Sequence, residues 1–291
     1  MAPGSTDNPG PGSKGSRSFQ LGRNVTVTVP EAVAEQVSTA FAETFGRSAK
    51  ARSKARTAPE RLSVDRIVEV AIDQMREHGY DAVTMRSIAK ELGTGPASLY
   101  AHVANRQELD ALVLDRVAGT WELPEVDPDR WEDQLRTAMH DMLALYRAHP
   151  GVARAAMGVI PMQPGALTGM ERLVSMMLAG GVPPQLAAWF CDLMALYVGG
   201  IAVEEDIWRE READGGMVHE HGAHEKQVRD FMASLPADHF PHLVALAPIM
   251  ASGDGDDRFG FGVDLLIAGL KSLSSTDPAY GTDRRVRPPA R

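Results

Sequence analysis

The chain has 291 residues, 44% hydrophobic and 24% charged, enough for two compact domains with real cores. No apolar run approaches the roughly 20 residues of a membrane span, and a single cysteine, Cys191, excludes an internal disulfide. The net charge of −9 disfavours phosphate binding by the chain as a whole, but it is unevenly spread: residues 1–118 carry 15 basic and 14 acidic side chains, residues 119–291 carry 15 and 25.

In chain order, residues 1–22 are rich in Pro, Gly and Ser and are expected to have no fold of their own, nor do they hold the apolar core of a signal peptide. Val25, Val27 and Val29 then alternate with polar residues as a short strand does, and Pro30 opens a helix striped by Val33, Val37, Ala40, Phe41 and Phe45. This strand and helix are similar to the opening of ribbon-helix-helix repressors. The helical partner that fold needs is missing, so the segment is expected to be an accessory that docks on its own chain or on a dimer mate. Residues 47–61 hold Arg47, Lys50, Arg52, Lys54, Arg56 and Arg61 against Glu60 alone. They read either as an arm following phosphates into a minor groove or as a solvated linker.

Regular helical patterning starts at Ser63, the expected cap of a helix to Glu77 with Ile67, Val68, Ala71, Ile72 and Met75 inward and Gly79 ending it. Thr84 caps a second helix with Ile88, Ala89 and Leu92 on one face, and Gly93 closes it. Pro96 suits a first helical position, after which Leu99 and Val103 turn inward and leave Ser98, Tyr100 and His102 outside. Two short helices joined by a glycine-containing turn are a helix-turn-helix candidate. Asn105 caps the next helix, with Leu109, Leu112, Val113 and Val117 apolar.

From Arg61 to Val117 the chain runs through a helix ending in HG, T-x-R-x-I-A-x-E-L-G, a short turn, and S-L-Y-x-H-V-x-N-[KR]-x-E-L. This resembles the DNA-binding domain of the TetR family of transcriptional repressors. The resemblance implies a palindromic double-stranded DNA operator contacted by Arg86, Thr94, Gly95, Pro96, Ala97, Ser98, Tyr100, His102 and Arg106. Arg86 is suited to a bidentate grip on guanine or phosphate, Ala97 to a thymine methyl, and Arg106 to the DNA backbone. Ala101 departs from the larger residue that close relatives carry there, which moves base reading toward Arg86, Ser98 and Tyr100.

The Pro- and acid-rich AGTWELPEVDPDR is a hinge. Beyond it helices are expected at about 129–148, at VARAAMGV, from Gly165 to Gly180, from Pro184 through the longest apolar run, at HEKQVRDFMASLP, and at DDRFGFGVDLLIAGLKSL. Between Trp131 and Leu273 the order W-x-x-x-L-R, R-x-H-P-G, G-A-L-x-x-x-E-x-L, Y-V-x-G-x-x-x-E-E and R-F-x-F-G-x-D-x-L-x-x-G-L resembles the ligand-binding domain of tetracycline-repressor-like regulators. That resemblance implies a homodimer joined through a four-helix bundle, and a small, largely apolar effector whose binding releases DNA. Candidate effector contacts are Met139, Met142, Met157, Met162, Met170, Met177, Trp189, Phe190, Met194 and Tyr197, although core packing explains most of them equally well. His219, His221 and His224 have a spacing possible for zinc but lie in a Gly-rich loop, so no metal and no cofactor is expected.

The expected fold is therefore all-α: an extension over 1–60, a helix-turn-helix domain over 61–118, a helical effector and dimerisation domain over 119–275, and a disordered tail over 276–291. A cytoplasmic regulator is the function expected. An enzyme or non-DNA sensor on the same scaffold is the alternative, and the chain has no G-x-S-x-G, no H-E-x-x-H and no phosphate-binding glycine loop to favour it.

Overall fold

The computed structural model describes residues 16–21, 25–32, 34–35, 38, 62–213, 223–250 and 252–276. The basic linker, His219, His221 and the end of the chain beyond 276 lie outside the described residues, as do Phe41 and Phe45.

Two antiparallel strands, β1 (Ser16–Leu21) and β2 (Val25–Pro30), form a hairpin in which Arg17 faces Val29 and Leu21 faces Val25. β2 is where the valine alternation placed it. β1 corrects the expectation that residues 1–22 are without structure: a strand is defined by the ladder its partner offers, and SRSFQL carries too little alternation of its own to show it.

The remaining described elements are helical, as the periodicity required. In the first domain α1 (Val64–His78) buries Ile67, Val68, Val70, Ala71 and Met75. A 3-10 turn (Tyr80–Ala82) leads to α2 (Met85–Glu91), α3 (Pro96–Tyr100) and α4 (Arg106–Ala118). Their starts follow the sequence closely. Ser63 accepts from the Arg66 amide, Thr84 and Ser87 form a reciprocal capping box, and the Asn105 side chain accepts from the Glu108 amide. Each such cap contributes about 1 kcal/mol by satisfying an amide that the helix leaves orphaned. Gly93 ends α2 at φ 62°, where a side chain would be strained. Ile88, Leu99, Val103, Leu109 and Val113 are fully buried behind the turn, so the small domain is held by one contiguous core.

In the second domain α5 (Trp131–Ala148), α6 (Val152–Ala156), α7 (Pro164–Ala179) and α8 (Pro184–Ala213) pack together, with α11 (Gly255–Thr276) against α5 and α8. A hairpin of α9 (Ala223–Ala233) and α10 (Pro241–Met250) stands between α8 and α11 in the chain. Trp131 lies directly on the Gly180 backbone, where any side chain would collide with its ring. α8 is long and apolar enough to cross a membrane by length and composition alone. Leu186, Phe190, Met194 and Val198 instead bury one face of it in this domain, the position of a core helix. Cys191 on α8 is largely buried, which pushes its thiol up to about 11 and makes it a packing residue.

Candidate nucleic-acid interface and effector site

α2 and α3 present the helix-turn-helix outward. Leu99 and Val103 anchor the back of α3, whereas Gly95, Pro96, Ala97, Ser98, Tyr100 and His102 are all exposed and Thr94 is half-buried. Arg86, one residue into α2, is exposed beside them. Seven of these eight residues are therefore open to solvent, and Thr94 partly so.

Arg106 does not join them. Its guanidinium turns inward: Nε donates to Asp110 at 2.8 Å, one Nη donates to the Val83 carbonyl and the other to the Tyr80 carbonyl, and the planar group lies 4.1 Å from the centre of the Tyr80 ring. The Tyr80 hydroxyl donates to Asp110 at 2.8 Å, and Asp110 is 6% exposed. Burial, and then the bond to this carboxylate, raise the Tyr80 pKa above its ordinary value. Arg106 therefore neutralises a buried acid and fixes the 3-10 turn to α4, and its assignment to the DNA backbone is corrected.

The two domains are joined by side chains that sequence reading did not single out. Asp115 of α4 accepts from the Gly165 amide at 2.5 Å and the Ala166 amide at 3.3 Å. It supplies the N-terminal cap that α7 lacks, because Gln163 caps nothing with its side chain. Gly165 and Gly169, one helical turn apart, let α7 approach this end of α4. A Cβ at Gly165 would lie 2.6 Å from the Asp115 carbonyl, and one at Gly169 3.3 Å from the Trp121 ring. A second joint lies at the far end of α8: Arg154 pairs with Asp81 at 3.1 Å and with Glu210 at 3.3 Å, so one guanidinium ties the 3-10 turn to α6 and α8. Nearby, buried Asp206 accepts from the Gly151 amide at 2.7 Å.

The expected effector contacts separate into two groups. Met139, Met177, Phe190 and Met194 are buried inside the domain, with Met142 and Tyr197 partly so. Met162 (71% exposed), Met157, Met170 and Trp189 are not enclosed, so the ten do not line a common interior. Residue type suggested the pocket, but the phase of each residue on its helix decides which way it faces. Tyr197 instead stacks on Phe259 at 5.5 Å and donates to its carbonyl at 3.1 Å, bonding α8 to α11. A cavity of about 300 Å³ lies elsewhere, at the domain junction among Met75, Gly79, Pro150, Gly151, Asp206 and Glu210. Its Asp206 and Glu210 carboxylates are already paired with Arg209 and Arg154.

Comparison with known proteins decides the family. Residues 67–110 match the bacterial regulatory proteins of the tetR family, and residues 123–274 match the tetracyclin repressor-like C-terminal domain. The chain belongs to the TetR family. Among its relatives, the HTH-type transcriptional repressor DrrR1 of Streptomyces coeruleorubidus is 30% identical over 220 residues, covering 73% of this chain and 78% of the relative. The tetracycline repressor protein class D of Escherichia coli is 26% identical, covering 78% of this chain and 98% of that protein. Apo ActR from Streptomyces coelicolor superimposes with a TM-score of 0.66 at 38% identity, covering 75% of this chain and 98% of ActR. ActR in complex with actinorhodin gives 0.66 at 39% identity, covering 76% of this chain and 99% of ActR. Membership makes the protein a helix-turn-helix transcriptional regulator.

Proposed function

We propose that this TetR-family protein is a cytoplasmic homodimeric repressor that holds a palindromic operator and releases it when a small, largely apolar molecule binds the second domain. The observation that carries the reading is the pairing of an exposed turn, Arg86 with Thr94 to Ser98, Tyr100 and His102, with a connecting helix capped onto the effector domain through Asp115. The relatives support it: one is named a repressor, and ActR has been solved with actinorhodin and with (S)-DNPA.

Dimerisation rests on the outer faces of α8 and α11. Trp189, Leu193 and Leu196 on α8 and Phe261 and Leu265 on α11 are all exposed, the last two at 70% and 61%. Soluble monomers rarely carry so continuous an apolar surface, and a two-fold axis through these helices buries it against its own copy. The same axis sets two recognition helices roughly 34–36 Å apart, the repeat of successive major-groove faces. An effector that favours a different tilt of α4 by a few kcal/mol is sufficient to empty the operator.

The test is a gel-shift titration of the purified protein on DNA from its own promoter. Binding that weakens steeply with salt is expected, because phosphate contacts release counterions. No shift at low salt would remove the reading.

A further inference from the structure

Gln74 sits on α1 just ahead of the buried Met75, and its side chain is half-buried. It makes two hydrogen bonds with one residue of α2: Nε2 donates to the Ser87 carbonyl at 3.2 Å, and Oε1 accepts from the Ser87 hydroxyl at 2.7 Å. Only one orientation of the amide does both, because the flipped one sets two oxygens against each other at the carbonyl. Ser87 has a second duty. Its Oγ accepts from the Thr84 amide at 2.8 Å while its own amide donates to the Thr84 hydroxyl at 3.0 Å, the capping box that starts α2. The Ser87 hydroxyl has a single proton, which can go to Gln74 or to the Thr84 carbonyl 2.9 Å away. Given to Gln74 at the shorter distance, it leaves that carbonyl to the Ile88 amide, whose bond opens the backbone ladder of the helix. Exposed Arg86 lies in the chain between Thr84 and Ser87, the two residues this network holds.

We propose that Gln74 is a positioning residue for operator reading: from α1 it pins the first turn of α2 and so fixes where the Arg86 guanidinium meets DNA. The inference rests on the proposed operator contact of Arg86 and names what holds it in place. α2 is only seven residues long, so few contacts set its angle. Met85, Ile88 and Ala89 attach it to the core by burial, which is non-directional and tolerates a small rotation of the helix. Hydrogen bonds do not tolerate it, because they weaken steeply as donor and acceptor fall out of line. A bidentate grip on a base edge has the same demand for geometry, and a guanidinium whose backbone origin has moved meets it less often. The Gln74–Ser87 clamp therefore supplies the directional restraint that burial alone leaves out, on the turn that carries Arg86.

The test uses the full-length protein and two DNAs: a duplex that this protein selects from a random pool, and poly(dI-dC) as nonspecific DNA. Gln74→Met keeps the length and helix preference of the side chain and removes both bonds. It is expected to stay folded by circular dichroism, to bind the selected duplex about tenfold more weakly, and to bind poly(dI-dC) within about twofold of the wild type. Gln74→Leu, a second apolar replacement, is expected to repeat the pattern. In an Arg86→Ala protein, Gln74→Met is expected to change affinity for the selected duplex by less than about twofold, because the side chain it positions is gone. A merely structural role would weaken both DNAs alike, and by the same factor with or without Arg86. Unchanged affinity in both Gln74 variants, equal weakening on both DNAs, the same loss in the Arg86→Ala background, or unfolding of both variants would overturn the inference. Arg86→Ala alone separates the two levels. If it weakens selected binding while the Gln74 variants do not, only the role of Gln74 falls; if it has no effect, the operator contact of Arg86 falls and the inference with it.

Discussion

The helix-turn-helix domain and the α8–α11 face use apolar residues in opposite ways. In the first, nearly every large hydrophobe between Ile67 and Val117 is turned into one core, and Tyr100 is the large one left outside. On the second, large apolar residues occupy both sides of the helices: Phe190, Met194, Phe259 and Val263 face inward while Trp189, Leu196, Phe261 and Leu265 face out. The core of the first domain runs on into the second, with Met75 beside Gly151 and Asp115 capping α7, whereas a helix that is apolar on two sides is complete only against a further surface. The contrast separates an interior shared by both domains from the outer face of α8 and α11, the face proposed for assembly.

The largest expected effect breaks the open face. Leu265→Lys or Phe261→Glu places charge where a partner is needed and leaves the inner core untouched. Sedimentation should show folded monomers, with operator affinity down about a hundredfold or more, since two half-sites are no longer linked. An equally tight operator complex would show that this face is not the dimer surface. Next, Leu99→Ala should cost about 2–5 kcal/mol in chemical denaturation, because Leu99 is fully buried behind the recognition helix. A loss below about 1 kcal/mol would mean that the small domain is not close-packed.

Two arginines then divide stability from recognition. Arg86→Ala should leave the melting temperature unchanged and cost about 1–3 kcal/mol in specific operator binding. Arg106→Ala should do the reverse, lowering stability by about 1–3 kcal/mol as buried Asp110 loses its charged partner, with the salt slope of DNA binding unaltered. A salt slope reduced by one unit in Arg106→Ala would restore that residue to the DNA surface. The smallest effect concerns Cys191: with its thiol raised to about 11 by burial, it stays protonated at neutral pH. Its reaction with a maleimide at pH 8 should be far slower in the native protein than in denaturant, and equal rates would show the helix to be open.

What could be read in the sequence is what local physics decides. Ser63, Thr84 and Asn105 are caps because a short polar side chain before an apolar period has one favourable use, and all three serve it. Leu99 and Val103 face inward because their spacing leaves no alternative. Arg106 was misplaced because, although its ion pair with Asp110 is a local i,i+4 contact, the Tyr80 and Val83 carbonyls that turn it inward lie far back in the chain, where no local pattern connects them. Asp115 looks like one more solvated acid on α4 until α7 arrives with two free amides. Leu265 and Leu266 are indistinguishable by type, yet the first is exposed and the second packs against the core, a difference of one position in helical phase.

The measurement that bears most directly on a two-fold, operator-binding regulator is selection of binding sites from a pool of random duplexes by the full-length protein. The expected product is an inverted repeat whose half-sites are separated by about one helical turn, 10–10.5 bp, or a multiple of it. Enrichment of a single unrepeated site, or no enrichment at all, would contradict it.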